Sequence, residues 1–197
     1  MIVVGKRRIE LDQTKAEIAV KELLLALDVD VNAEDFVGTP RRVAELLIEQ
    51  CTAKPAELDV TFSEKQFGGM VIVSGVPFVS MCAHHLVFFS GDAYVGYIPK
   101  RQKLGISKLA RLVYSCSVGL TTQETITAQI ADRLFNDDNI GCLGCMVVLK
   151  AKHGCMNLRG ARAIDSSTIT SEVKGVFRDV PAARQEFLTL SGCGKDC

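Results

Sequence analysis

The spacing of apolar residues changes near residue 60, and that change limits the fold of this chain more than any other feature. Before it, Ala16, Val20, Leu23, Leu24 and Leu27 fall at helical intervals, so residues 14–27 read as an amphipathic helix. Gly38-Thr39-Pro40 reads as a second helix start, with Thr39 as cap and Pro40 in the first helical position. Val43, Leu46, Leu47 and Cys51 then repeat with a helix period until Lys54-Pro55. Residues 1–60 are expected to form an N-terminal helical segment, and residues 61–197 the main domain.

From Met70 the texture is different. MVIVSGVPFVSM and DAYVGYIP are β-branched and aromatic runs broken by Gly and Pro, which is strand chemistry. Residues 107–118 and 122–135 return to helix, the second with Ile126, Ile130 and Leu134 along one face. Residues 145–152 and 168–177 read as strands, and residues 181–190 as a terminal helix. Two strands, two helices and two strands imply an α+β fold, an antiparallel sheet with helices layered on one face.

Composition excludes several classes. Lys+Arg and Asp+Glu both number 23, so the chain lacks the basic excess of a nucleic-acid binder, and an anionic ligand needs a local cluster of cations. No run approaches 18 apolar residues, and MIVVGKRRIELD lacks the hydrophobic core of a signal peptide. A cytoplasmic location with reduced thiols is therefore expected for the eight cysteines.

Only three histidines occur, and each lies within two or three positions of a cysteine. Cys82-Ala83-His84-His85 offers a Cys-x-x-His spacing, which a turn can bring onto one ion. His153-Gly154-Cys155 is the candidate source of a third ligand; in an extended segment residues 153 and 155 share a face, so either can face the ion. Two thiolates and one imidazole leave a tetrahedral ion one open position, the pattern of a catalytic zinc, with the remaining histidines as proton donors and acceptors. A closed structural zinc site is the bland alternative. Cys142-x-x-Cys145 is a weaker cluster, because a regular strand would turn its side chains to opposite faces. Cys193 and Cys197 complete a four-thiolate site only if the tail folds back.

Ser107 reads as the cap of a helix whose first turn carries Lys108 and Arg111, an arrangement suited to phosphate and equally to a solvated basic face. Gln123-Glu124 opens the next helix, where the dipole favours a carboxylate with or without a ligand. Such a carboxylate also matches the N1–H and exocyclic amine of guanine.

The segments GTPRRVAELL, CAHHL, VGYIPKRQKLGISKLARLV, QETITAQIA, HGCMNLRG and GVFRDVPAARQEFLTL occur in one collinear order. Together they resemble the GTP cyclohydrolase I family. The resemblance implies the tunnelling fold, a toroidal homodecamer with active sites between subunits, and conversion of GTP to 7,8-dihydroneopterin triphosphate and formate. It implies zinc on Cys82, His85 and Cys155, and acid/base roles for His84 and His153. It also implies guanine recognition by Glu124 with Gln123 beside it, and triphosphate binding by Arg42, Ser107, Lys108, Arg111 and Arg159. Departures from the family pattern are Ala83 in place of Glu, Glu45 where some members carry Lys, Gly119 and Thr125 in place of basic residues, and Phe88 in place of Pro. A related tunnelling-fold enzyme with another substrate, or a non-catalytic zinc-binding assembly protein, are the rival readings.

Overall fold

The structure, a computed structural model, describes residues 3–4, 7–8, 11–52, 58, 61–62, 68–100, 102–138 and 140–194. It divides into two compact units, Met1–Lys54 and Pro55–Cys197. In the first, β1 (Val3–Val4) pairs antiparallel with β2 (Arg7–Arg8), and α1 (Gln13–Ala26) packs on α2 (Thr39–Cys51). The Asp12 carboxylate caps α1 by accepting from the Lys15 amide at 2.9 Å. Thr39 does not cap α2 as the sequence suggested. Gly38 is the N-cap and makes no side-chain bond, while Thr39 Oγ1 accepts from Arg42 Nη2 at 3.3 Å.

The second unit begins with β3 (Thr61–Phe62), β4 (Val71–Cys82), β5 (Phe88–Ile98) and β6 (Lys103–Leu104). It continues with α3 (Ile106–Ser117), β7 (Leu120–Thr121), α4 (Gln123–Phe135) and β8 (Gly144–His153). The single-turn α5 (Gly154–Asn157), β9 (Thr168–Gly175), the short α6 (Val176–Asp179) and α7 (Pro181–Ser191) complete it. β3 pairs with β6, and five strands form the main sheet in the order β7-β4-β5-β8-β9. All its pairings are antiparallel except the short parallel contact of β7 with β4.

Strand alternation sorts the core into two faces. Val95, Tyr97, Cys145, Val147 and Leu149 meet Leu109, Leu112 and Val113 of α3 and Ile126, Ile130 and Leu134 of α4. The intervening Met146 and Val148 meet Phe177, Ala183 and Phe187. The expected helical layer on one face is thus made by α3 and α4, and α6 with α7 adds a smaller layer on the other. Two φ/ψ details matter near the site. Gly119 has φ +120°, a conformation in which an L side chain is strained. The helix α3 starts at Ile106 with Gly105 as N-cap, so Ser107 is inside the first turn and is not the cap. No helix among the described residues is long and apolar enough to cross a membrane.

Candidate metal centre and active site

Register places the first two candidate donors. β4 ends at Cys82, whose amide bonds Val87 O at 3.0 Å, while Leu86 N returns to Cys82 O at 2.9 Å. The parallel partner β7 anchors the same turn, with Ala83 N on Thr121 O at 3.1 Å. This tight turn brings His85 Nδ1 to 3.8 Å and His84 Nδ1 to 3.9 Å from Cys82 Sγ. Cys82 is buried, and both histidines are exposed.

The third candidate donor arrives by a change of backbone. β8 pairs with β5 as far as Phe89↔His153 and stops there; Gly154 to Asn157 form one helical turn. The expectation that residues 153 and 155 share the face of an extended strand is therefore corrected, because the chain has left the strand at Gly154. A Cβ on Gly154 would meet Val87 Cγ1 and lie 2.8 Å from Phe88 O, so only glycine fits where the chain turns against β5. The turn sets Cys155 beside Cys82, and the donor atoms of Cys82, His85 and Cys155 all lie within 4.8 Å of one another.

This donor set fits a zinc ion. Bond lengths of about 2.3 Å to sulfur and 2.0 Å to nitrogen place tetrahedral ligands about 3.5–3.8 Å apart, and the Cys82–His85 separation already lies there. Burial, and then the adjacent Cys82 thiol, push the Cys155 thiol above its ordinary pKa, a resistance to ionisation that a bound cation removes. Cys142 and Cys145 do not join this group. Strand β8 starts only at Gly144, and the two thiols are spent on carbonyls, Cys142 on Gly144 O at 2.9 Å and Cys145 on Ala131 O at 3.5 Å. Cys193 is buried against Ser191, and Cys197 lies outside the described residues.

His153 lies at the strand end next to this cluster. Its ring stacks on Phe89, with centroids 4.4 Å apart and planes 6° from parallel. Nε2 lies 2.7 Å from Gln123 Oε1. Burial depresses its pKa, and the Glu124 carboxylate opposes that shift, which places Glu124 within electrostatic reach. Gln123 and Glu124 are neighbours with opposite fates at the start of α4, where Thr122 accepts from the Thr125 amide at 3.3 Å as N-cap. Glu124 is exposed; Gln123 is 1 % exposed and turned into the protein. No sequence motif marks Phe89 for this stacking role, which only its pairing with His153 across β5 and β8 creates.

The expected phosphate residues are not equivalent. Arg111 is exposed, whereas Lys108, three positions earlier, is 8 % exposed, so the two do not form one solvated basic stripe. Ser107 is exposed on the first turn of α3, and Arg159 is exposed just beyond α5. Arg42 belongs to the first unit, where its guanidinium meets Thr39 Oγ1 and the Asp35 carbonyl. Glu45 pairs with Arg41 at 2.7 Å, one turn away on α2, and not with Arg42.

Comparisons with known proteins agree with this geometry. A family profile described as GTP cyclohydrolase I matches residues 16–192. The GTP cyclohydrolase 1 of Dehalococcoides mccartyi strain 195 is 41% identical over 184 residues, covering 91% of this chain and 96% of the relative. That of Mycolicibacterium gilvum is 41% identical over 186 residues, covering 92% and 91%. That of Bacillus subtilis strain 168 is 40% identical over 183 residues, covering 91% and 95%. A profile spanning both units and identity near two-fifths across nine-tenths of the chain leave one assignment: this chain belongs to the GTP cyclohydrolase I family of enzymes.

Proposed function

We propose that this chain hydrolyses GTP to 7,8-dihydroneopterin triphosphate and formate, with zinc as the ion on Cys82, His85 and Cys155. Family membership supports the activity. The observation that carries the site assignment is the convergence of three donors from β4, its following turn and α5, with His153 at the adjacent strand end.

When bound, zinc supplies Lewis acidity and lowers the pKa of a coordinated water toward neutrality. The chain's own groups supply binding and proton transfer. Glu124, exposed at the mouth of α4, accepts from the N1–H and exocyclic amine of guanine. Ser107, Lys108, Arg111 and Arg159 hold the triphosphate; Arg42 is carried over to that role by family resemblance alone. His153 takes up a proton as water adds at C8 of guanine and returns it to the imidazole nitrogen as the five-membered ring opens. A second hydration releases formate. His84, beside Cys82 Sγ, exchanges protons as the ribose rearranges and closes onto the freed amine with loss of one water. One water is consumed overall. The enzyme acts as a ring of subunits, a homodecamer with sites between protomers.

Incubating the zinc-loaded protein with GTP and recording pterin absorbance together with formate tests this reading. Equal yields of both products are expected. Formate without pterin would limit the enzyme to ring opening, and neither product would remove the assignment.

A further inference from the structure

Buried hydrogen bonds around Gln123 determine where each proton of the network lies. Its side-chain Nε2 is 3.0 Å from Leu149 O, 3.0 Å from Thr168 O and 3.1 Å from Thr170 Oγ1. Backbone carbonyls only accept, so the amide atom facing both of them is the NH₂ group. The other amide atom, 2.7 Å from His153 Nε2, is therefore the oxygen, which also only accepts. A hydrogen must then sit on His153 Nε2.

The threonines agree with this orientation. Thr127 Oγ1 lies 2.7 Å from the Gln123 backbone carbonyl and donates its single proton there. Thr170, 2.7 Å away, must donate to Thr127 Oγ1, so it turns a lone pair toward Gln123 Nε2, whose two hydrogens are shared among three acceptors. Turning the amide over would set its oxygen against two carbonyl oxygens and break the whole circuit. The anchor is stiff, because Leu149 belongs to β8, Thr168 and Thr170 to β9, and the two strands pair through Leu149↔Thr170 and Ala151↔Thr168. Phe89 stacks on the ring and holds its plane.

We propose that Gln123 is a positioning residue that holds neutral His153 as its Nε2–H tautomer, so that Nδ1 is the nitrogen exchanging protons with substrate. This rests on the reading of His153 as a proton-transfer residue. It also gives Gln123 a different task from the guanine contact implied by family resemblance, since both of its amide atoms are engaged inside the protein. In a neutral imidazole one nitrogen donates and the other accepts. With Nε2–H committed to Gln123, Nδ1 carries the lone pair that takes a proton, and the same nitrogen returns it from the imidazolium form. The ring need not turn over between these steps.

The wild-type tautomer can be read directly. Zinc-loaded protein labelled with ¹⁵N-histidine, held at pH 8 where an ordinary imidazole of pKa about 6.5 is neutral, separates protonated from bare ring nitrogens in solid-state NMR spectra. Three histidines make assignment tractable, with His84→Ala removing one set of signals. The expected result is a protonated Nε2 and a bare Nδ1 on His153. A protonated Nδ1, or a mixture of tautomers, would overturn the proposal. Gln123→Met, of similar length but without hydrogen bonds, is expected to retain zinc, mix the two tautomers and lose kcat by about tenfold or more with KM for GTP within about twofold. A raised KM with unchanged kcat would make Gln123 a guanine contact and end the positioning role. If the variant does not fold, the wild-type spectrum alone decides. Full activity in His153→Ala would defeat the proton-transfer reading and the functional half of the proposal, while leaving the tautomer measurement to stand separately.

Discussion

Cys155 and His153 lie two residues apart, yet the structure gives them different surroundings. Cys155 sits among sulfur and imidazole donors, and His153 between an aromatic face and an amide oxygen. We expect Cys155→Ala to lose bound metal and activity together, and Cys142→Ala to retain both; metal analysis with a GTP assay checks this. Equal metal loss in both variants would mean that the wrong thiols are assigned. His153→Ala should keep its metal and lose turnover by about 10²-fold or more, the usual effect of removing a general acid/base. Burial lowers the His153 pKa, so its neutral form persists below the ordinary imidazole range. For a base with a depressed folded pKa, the associated stability is complete above the unfolded value and is lost as pH falls through the folded one. The acidic limb of kcat/KM assigned to His153 should therefore fall below about pH 6.5. Glu124→Gln removes the opposing carboxylate and should move that limb further down; an upward move would contradict the electrostatic assignment.

At the scale of elements, the site depends on where strands stop. β4 ends at Cys82, β8 ends at His153, and the α4 N-terminus supplies Gln123 and Glu124 at the same end of the sheet. Gly154 is the hinge of this arrangement, because a side chain there collides with the backbone of β5. Gly154→Ala should displace α5 and with it Cys155. A stability loss of about 1–3 kcal/mol, the usual range for overpacking, should accompany weaker metal retention against a chelator. A variant that melts normally and holds zinc normally would show that α5 tolerates the shift. The helix faces were readable in advance, since Ile126, Ile130 and Leu134 follow a period that only a helix can bury on one side. Helix starts were less readable. Thr39 and Ser107 have the right chemistry for caps, but the preceding glycines take the cap positions and the hydroxyls fall inside the first turns. Cap identity depends on backbone angles at one residue, which apolar periodicity does not report.

At the scale of the assembly, the main sheet leaves an edge and apolar side chains open among the described residues. β9 is an eight-residue edge strand, and Val79, Leu120 and Ile169 are exposed on strands of the main sheet. Edge strands with apolar neighbours are normally covered in solution, and joining sheets between identical subunits covers them. The proposed ring predicts that sedimentation equilibrium will give a mass many times that of one chain, with activity following the assembled fraction on dilution. A fully active monomer would exclude a site completed by a neighbouring subunit.

Residue type and local spacing alone determined the fold class, the two helical faces and the Cys-x-x-His element, because these depend on residues within a turn or two of one another. The collinear motifs also carry the family resemblance by themselves. Tertiary structure decided the parts that depend on distant partners. Gln123 looks like a ligand-facing residue beside Glu124, but its amide reaches carbonyls 26 and 45 positions away, and those acceptors turn it inward. Phe89 carries no motif of its own, and its pairing with His153 makes it the platform of a ring. Cys155 was a ligand candidate from the start, but its approach to Cys82 needed the chain to leave the strand at Gly154, where an extended reading runs on through Cys155. Buried polar groups must find partners wherever the chain brings them, and that requirement is met only in the assembled fold.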